Sequence, residues 1–292
     1  MTAIPSFTMN NGRTIPALGY GVFLMTSDQV REHLPQALKL GYRHIDTANA
    51  YFNEVAVGEV VRDAIAAGEL AREDLFITTK LFPQSYPYAQ AVEDIDATLA
   101  RLGLDYVDLL LFHQPYGEYV SGWKAMEEAV AAGKVRSIGL SNFPIAKFQE
   151  ILDVAEIIPA VHQVEAHPRW NQHELKARMS EATGTEVLVE AWYPLGHGDK
   201  TLLEEPAIAA AAQRTGATPA QVILAWHLAE RNITFPKTLS PAHMADNLAA
   251  LDVELTAAEI ATINGIPQQP YYRIPDEPPA FVLTTNDYSQ QA

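Results

Sequence analysis

The 292-residue sequence contains no cysteine, so disulfide bonds, thiolate metal ligands and cysteine nucleophiles are excluded. Basic residues are scarce as well. The chain has 20 Lys and Arg against 36 Asp and Glu, which gives a formal net charge of −16 at pH 7. This deficit of positive charge argues against nucleic acid or an anionic membrane as a partner.

Long apolar runs are also missing. No stretch approaches the roughly 18–20 apolar residues that a membrane-spanning helix needs. The first residues, MTAIPSFTMNNG, have no basic segment followed by an apolar run, so no secretory signal is visible. Hydrophobic residues nevertheless make up 48% of the chain, which is typical of a globular protein. We therefore expect a soluble, cytoplasmic protein.

A third absence concerns nucleotide binding. No GxGxxG signature follows a strand-like run, since the segment GYG at 19–21 lacks the third glycine. That signature marks the open, doubly wound dinucleotide-binding sheet, so the sequence disfavours this fold.

The chain does contain a regular alternation of apolar, strand-like runs with helical patterns. Eight such runs are visible, at 17–23, 43–48, 75–81, 107–113, 135–142, 160–167, 186–193 and 232–237. Strands that are apolar on both faces and are joined by helices indicate a parallel sheet. Eight such units in about 250 residues favour a closed (β/α)8 TIM barrel. No linker divides the chain, so we expect a single domain over residues 1–292.

Both ends of the chain carry additions to the barrel. FTMNNGRTIPAL predicts an N-terminal β-hairpin, because Asn11-Gly12 can take the positive φ angles of a tight turn. From Ile266 onward the chain is rich in proline and contains large apolar side chains. We expect this segment to be an irregular C-terminal tail that lies over the barrel mouth and influences the choice of substrate.

Four polar residues stand at or just after predicted strand ends: Asp46, Tyr51, Lys80 and His113. The C-terminal ends of barrel strands meet at one mouth, so we expect these residues to converge there. Taken singly, these residues would more often be structural: Asp46 and Lys80 as a buried ion pair, and His113 as a core histidine. Four on adjacent strands are better explained by chemistry.

Together the four residues make a proton donor. A free tyrosine, with a pKa near ~10, is a poor acid at neutral pH, and a neighbouring ammonium lowers that pKa. Asp46 would keep Lys80 charged and in place. His113 could donate a hydrogen bond to the same oxygen that Tyr51 protonates. The set predicts protonation of a carbonyl oxygen while hydride is delivered to the carbon.

The stretches around these residues resemble the aldo-keto reductase family. They are GYRHIDTANAYFNE (41–54), TTKL (78–81), LLLFHQP (109–115), VRSIGLSNF (135–143), VHQVEAHP (161–168), EAWYPLG (190–196) and FPKTLSPAHMADN (235–247). They occur in the family's order, and they most resemble the bacterial-type 2,5-diketo-gluconate reductase and prostaglandin F synthase-like members. The resemblance implies that Asp46, Tyr51, Lys80 and His113 are the catalytic tetrad, with Tyr51 as the general acid.

The resemblance also implies a cofactor, NADPH with NADH as a usable second choice, extended across the barrel mouth without a metal. Ser141, Asn142 and Gln163 would hydrogen-bond the nicotinamide carboxamide. Trp192 stands where the family usually has a ring-stacking tyrosine, a change that preserves stacking. Leu195 and Gly196 would run along the pyrophosphate.

For the adenosine end, the resemblance points to the segment from Lys237. Ser240 and Pro241 can begin a helix there, and a helix N-terminus suits an anion. The implied contacts to the 2′-phosphate and the adenine are Lys237, Thr238, His243, Asp246 and Asn247. His243 replaces the family's usual arginine, so we expect a weaker preference for NADPH over NADH.

The substrate pocket departs from the family pattern. Phe23 and Phe82 occupy positions where tryptophan is common, Gln114 follows the histidine, and the flap at 196–206 is short. We expect an open, apolar-walled pocket for a small carbonyl substrate, an aldehyde or ketone. For the assembly state we expect a monomer or a weak homo-oligomer.

Two other functions fit the same residues less well. Lys80 could be the Schiff-base nucleophile of a barrel aldolase, but such a lysine would lack a carboxylate partner like Asp46. The chain could instead be a non-enzymatic, cofactor-sensing subunit, which the loss of a tetrad member would have favoured.

Overall fold

The computed structural model describes residues 3–283, 286–288 and 291. The chain begins with the predicted hairpin, formed by antiparallel strands β1 (Ser6–Thr8) and β2 (Thr14–Pro16). Its turn differs from the expected one: Gly12 has a positive φ of 80°, but Asn11 does not. The Asn11 side chain instead accepts a hydrogen bond from the backbone N–H of Arg13, at 3.1 Å, and supports a longer loop.

The hairpin is followed by eight strands that form one parallel sheet. They are β3 (Tyr20–Gly21), β4 (His44–Asp46), β5 (Phe76–Leu81), β6 (Val107–Phe112), β7 (Val135–Ser141), β8 (Val161–Glu165), β9 (Leu188–Trp192) and β10 (Asn232–Thr234). Each strand pairs with its neighbours in the chain, and Leu18 and Thr234 form a parallel bridge between the first strand and the last. The sheet therefore closes into the predicted (β/α)8 barrel, and each of the eight predicted runs contains one of its strands.

Helices surround the barrel. They are α1 (Ser27–Leu40), α2 (Glu54–Ala66), α3 (Tyr88–Leu102), α4 (Tyr119–Ala131), α5 (Ile145–Leu152), α6 (His173–Thr183), α7 (Lys200–Leu203), α8 (Pro206–Thr215), α9 (Pro219–Ala229), α10 (Pro241–Ala249), α11 (Ala257–Asn264) and α12 (Ala280–Leu283). Thr218 and Gln221 form a capping box at the start of α9, which fixes where this helix begins. Within the described part of the chain, no helix has the length and apolar character needed to cross a membrane.

The barrel interior is apolar at the end that the hairpin covers. Met9 and Ile15 from the hairpin pack against Phe76, Leu109 and Leu188 from the strands, and all five are buried. This contact seals the N-terminal end of the barrel, so the polar groups farther along the strands can be reached only from the opposite end.

Above this apolar layer lies a pair of buried titratable side chains, His44 on β4 and Glu190 on β9. His44 Nε2 is 2.9 Å from Thr78 Oγ1 and 3.6 Å from Glu190 Oε1. Burial lowers the pKa of His44 to about 3. Burial, followed by the negative charge of Asp46, raises the pKa of Glu190 to about 8. Both side chains are therefore largely uncharged at neutral pH.

The raised pKa of Glu190 makes stability depend on pH. The folded chain holds a proton on Glu190 that the unfolded chain releases near pH 4.5, so this contribution is complete below pH 4.5 and is lost as pH rises to about 8. Glu190→Gln should therefore be more stable than wild type at pH 8 by about 2–4 kcal/mol, and this advantage should shrink toward pH 5.

Urea unfolding at several pH values measures this difference. Glu186→Gln, which changes an exposed carboxylate just before the same strand, is the matched control and should show no such trend. A difference between Glu190→Gln and wild type that does not change with pH would contradict the prediction.

Candidate active site

The mouth of the barrel centres on an ion pair between Asp46, the last residue of β4, and Lys80, near the end of β5. Lys80 Nζ donates hydrogen bonds to both carboxylate oxygens of Asp46 at 2.8 Å and to the backbone oxygen of Thr47 at 2.9 Å. Burial is the largest single effect and lowers the pKa of Lys80, but Asp46 and Tyr51 together outweigh burial and raise this pKa above its usual value. Lys80 is therefore an ammonium, although it is completely buried.

Tyr51 lies beside this pair, at the end of a short 3₁₀ turn (Asn49–Tyr51) that follows β4. Its hydroxyl oxygen accepts a hydrogen bond from Lys80 Nζ at 3.1 Å. Burial raises the pKa of Tyr51, Lys80 lowers it, and the result is about 12. Lys80 acts in the expected direction, but the expectation of a net lowered pKa is wrong because burial is the larger effect. At neutral pH Tyr51 thus holds its proton firmly.

His113 follows β6 and completes the set of four. Its ring meets the Tyr51 ring edge-on, with ring centroids 5.6 Å apart. Burial, and then the charge of Lys80, lowers the pKa of His113 well below its usual value, so the imidazole is neutral. A neutral imidazole donates one hydrogen bond and accepts another. The structure thus brings Asp46, Tyr51, Lys80 and His113 together.

Gln163 on β8 connects the ion pair to the buried layer beneath it. Its Nε2 donates to Asp46 Oδ2 and to Glu190 Oε2, both at 2.9 Å. Because both N–H groups are used, the side-chain oxygen is left for another partner, and no described residue donates to it. Glu190 begins the EAWYPLG stretch but was not among the residues predicted to have a role.

Asn142 and Trp192 are joined on the other side of the mouth. The indole N–H of Trp192 donates to Asn142 Oδ1 at 2.9 Å. Asn142 Nδ2 donates to the backbone oxygen of His113 and to Ser141 Oγ, both at 3.0 Å. The structure thus brings Ser141, Asn142, Gln163 and Trp192 to one part of the mouth, and it joins Trp192 to Asn142 by a link that the sequence did not indicate.

The flap that begins at Leu195 and Gly196 is tied to the C-terminal tail. The Tyr271 hydroxyl donates to Asp199 Oδ2 at 2.6 Å, and Arg169 donates to the same oxygen at 2.8 Å. The hydrogen bond from Tyr271, then those from Thr201 and the positive charge of Arg169, lower the pKa of Asp199 to about 2. A Cβ atom on Gly196 would lie 3.1 Å from the Tyr271 hydroxyl oxygen, so glycine allows this close approach. Arg169 and Asp199 were not among the residues predicted for the site.

A buried carboxylate holds the tail where it crosses the mouth. Glu165, the last residue of β8, accepts hydrogen bonds from the backbone N–H groups of Tyr271 and Tyr272, and from His167 at 2.9 Å. Over residues 266–283 the tail is irregular apart from the single turn of α12, because its prolines leave few N–H donors for a regular element.

The aromatic walls predicted for the pocket lie next to the four polar residues. The ring of Phe23 is 5.0 Å from that of Tyr51, and the ring of Phe82 is 5.5 Å from that of His113. Phe281 from the tail reaches Phe82, with 6.4 Å between ring centroids. Gln114 is half-buried, and its backbone N–H and C=O are both hydrogen-bonded to the Tyr86 hydroxyl.

The remaining predicted residues gather at the start of α10. Ser240 Oγ accepts a hydrogen bond from the backbone N–H of His243 at 3.4 Å, and Pro241 is the first helical residue. Thr238 is half-buried just before this helix. Lys237, His243 and Asp246 are exposed around it, whereas Asn247 is buried beside the Tyr42 hydroxyl.

Comparison with known proteins agrees with this arrangement. The model of the Aldo/keto reductase family matches residues 17–267. An aldo-keto reductase from Mycobacterium tuberculosis is 40% identical over 267 residues, which cover 90% of this chain and 92% of the relative. A morphine 6-dehydrogenase from Pseudomonas putida is 38% identical over 274 residues, 89% of this chain and 90% of that protein.

Among solved structures, a Bombyx mori aldo-keto reductase in complex with NADP has a TM-score of 0.85 and 30% identity. The match covers 94% of this chain and 96% of that one. The closed barrel, the polar residues gathered at its mouth and these similarities lead to one conclusion: the chain belongs to the aldo/keto reductase family.

Proposed function

We propose that this protein reduces aldehydes or ketones to alcohols with NADPH, and that Tyr51 is the general acid. The observation that carries the proposal is the position of Lys80, whose ammonium is hydrogen-bonded to the Asp46 carboxylate and to the Tyr51 hydroxyl at the same time. When bound, the reduced nicotinamide supplies the hydride.

The protein's own residues account for the proton. Tyr51 is protonated at neutral pH, as a proton donor must be. When the phenol gives up its proton to the substrate oxygen, Lys80 is 3.1 Å away to stabilise the phenolate. Asp46 keeps Lys80 charged, and the neutral imidazole of His113 can donate a hydrogen bond to the carbonyl oxygen. Lys80 is hydrogen-bonded to Asp46, Thr47 and Tyr51, so it is poorly suited to act as a Schiff-base nucleophile.

The residues at the mouth fit the nicotinamide carboxamide. A carboxamide has one oxygen that accepts hydrogen bonds and an NH₂ group that donates them. The side-chain oxygen of Gln163 is an acceptor without a partner among the described residues. Ser141 Oγ accepts from Asn142, so its own O–H remains free to donate. These two groups complement the NH₂ group and the oxygen of the carboxamide, and the half-buried ring of Trp192 offers a surface for stacking.

We assign the adenosine 2′-phosphate to the start of α10. The free N–H groups of the helix N-terminus attract an anion, and Lys237 adds an exposed ammonium. His243 lies in the first turn, where an arginine would add a permanent charge and a planar pair of donors. NADPH is therefore the preferred cofactor, by a margin smaller than an arginine would give.

Replacing the proton donor tests the main proposal. Tyr51→Phe should leave NADPH binding close to wild type, while kcat/KM for a simple aldehyde falls by about 10²–10⁴-fold because the general acid is missing. Binding is measured by calorimetry and turnover by the absorbance of the reduced nicotinamide. Tyr88→Phe removes an exposed hydroxyl bonded to Glu128 and is the matched control. A loss below about tenfold would reject Tyr51 as the acid.

Substitution of His243 tests the cofactor assignment. His243→Arg should raise the NADPH-to-NADH ratio of kcat/KM by about 3- to 30-fold, since arginine carries a full charge and binds phosphate with two donors. Ala249→Arg adds the same charge at the other, exposed end of α10 and should leave the ratio nearly unchanged. Equal effects of the two substitutions would show that His243 does not contact the phosphate.

The tail gives a further prediction about substrate choice. Phe281 is 54% exposed and touches Phe82, whose ring lies against His113. Phe281→Ala should raise KM for aromatic aldehydes by about 3- to 10-fold and leave KM for two- or three-carbon aldehydes unchanged, because only the larger substrates reach this ring. Val154→Ala, an exposed apolar residue beyond the end of α5, is the control. An unchanged ranking of aldehydes would show that Phe281 does not line the pocket.

A further inference from the structure

The indole N–H of Trp192 is used in a way that ring stacking does not require. It crosses strand β8 to reach Asn142, which follows β7, and donates to Asn142 Oδ1 at 2.9 Å. The edge-on contacts of its ring with Tyr193 and Tyr272, at centroid distances of 4.7 and 6.2 Å, already place the aromatic surface. The hydrogen bond therefore has a separate consequence.

That consequence is the orientation of the Asn142 amide. An indole N–H can only donate, so the atom facing it must be the amide oxygen. The amide nitrogen then faces the backbone oxygen of His113 and Ser141 Oγ, each at 3.0 Å. If the amide were reversed, two donors would meet at Trp192 and two oxygens would meet at His113. The Trp192 N–H, which can only donate, and the His113 carbonyl, which can only accept, thus fix together which way the amide points.

The orientation of Asn142 in turn determines what Ser141 can do. Because Asn142 Nδ2 donates to Ser141 Oγ, the hydroxyl oxygen serves as an acceptor there and keeps its own hydrogen for another partner. In the reversed amide an oxygen would face the hydroxyl and take that hydrogen. Ser141 would then no longer be available as a donor at the mouth.

The backbone of Asn142 keeps the amide in place. Asn142 has a φ of 67°, in the left-handed region that asparagine tolerates better than most residues. This conformation lets its side chain reach Trp192, His113 and the preceding Ser141 at once. Ser141 and Asn142 are both buried, and Trp192 is half-buried above them.

We propose that Trp192 is a positioning residue: its N–H orients Asn142, and through Asn142 it makes Ser141 a donor to the carbonyl oxygen of the nicotinamide carboxamide. This inference rests on the proposed function. Gln163 offers an acceptor and Ser141 a donor. A carboxamide turned by 180° would place its oxygen against the Gln163 oxygen and its NH₂ group against the Ser141 O–H. This chain of hydrogen bonds from Trp192 through Asn142 to Ser141, here called the relay, thereby selects one orientation of the carboxamide.

A double-mutant cycle on cofactor binding tests the relay. Dissociation constants for NADP⁺ are measured by calorimetry for the wild type, Trp192→Phe, Ser141→Ala and the double variant. The smaller stacking area of phenylalanine weakens binding equally whether residue 141 is serine or alanine, so this contribution cancels in the cycle. The indole N–H acts only through Ser141. The factor by which Trp192→Phe raises the dissociation constant should therefore be about 3- to 10-fold smaller in the Ser141→Ala background than in the wild type. Effects of the two substitutions that simply multiply would overturn the inference.

A second ligand identifies the atom on which the relay acts. The 3-acetylpyridine analogue of NADP⁺ keeps the carbonyl oxygen and has a methyl group in place of the NH₂. The coupling should persist with this analogue, whereas its disappearance would mean that Trp192 acts on the NH₂ side and would overturn the assignment. If Trp192→Phe does not fold by circular dichroism, Trp192→Met, which also lacks a donor, takes its place.

The same measurements separate this inference from the proposed function. If the wild-type protein does not bind NADP⁺, both the inference about Trp192 and the proposed function are wrong. Binding without coupling would remove only the role of Trp192. Loss of reductase activity in Tyr51→Phe is measured independently and does not depend on the outcome of the cycle.

Discussion

A positive charge buried inside the barrel governs the structure of this site. Lys80 is completely enclosed, and an unpaired ammonium in such surroundings would be very costly. The Asp46 carboxylate and the Thr47 carbonyl compensate the charge, and Tyr51 takes the remaining position around it. The placement of the catalytic candidates thus follows from the need to surround one ammonium with acceptors.

The need to balance this charge also affects Gln163 and Glu190, which lie beneath the ion pair. Asp46 also receives a hydrogen bond from Gln163, which is shared with Glu190. Because Glu190 is buried, and because a second carboxylate charge near Asp46 would be repelled, Glu190 keeps its proton up to about pH 8. A single negative charge therefore faces Lys80, and the Gln163 amide is held with its oxygen toward the mouth. The charge balance in the interior and the unpartnered amide oxygen of Gln163 are consequences of one network.

Much of this could be predicted from the sequence because strand ends in a barrel converge. The positions of Asp46, Lys80 and His113 at the ends of successive apolar runs were sufficient to bring them to one mouth. The TIM-barrel fold itself followed from eight apolar runs separated by capped helices. The net pKa of Tyr51 could not be predicted, because it is the difference between a burial effect and a charge effect that depend on distances in the folded chain. The hairpin turn also differed, since the Asn11 side chain supports a longer loop.

The sequence by itself determined the class of fold, the identity of the polar residues at the mouth and the presence of a helix start suited to phosphate, because each depends on local patterns and on strand order. Only the tertiary structure decided which hydrogen-bonding groups face each other. The link from Trp192 to Asn142 joins residues 50 positions apart, and Glu165 fixes a tail more than 100 positions away. Such pairs have no local signature, since they arise when a strand between them, or a chain end above them, brings donors and acceptors within 3 Å.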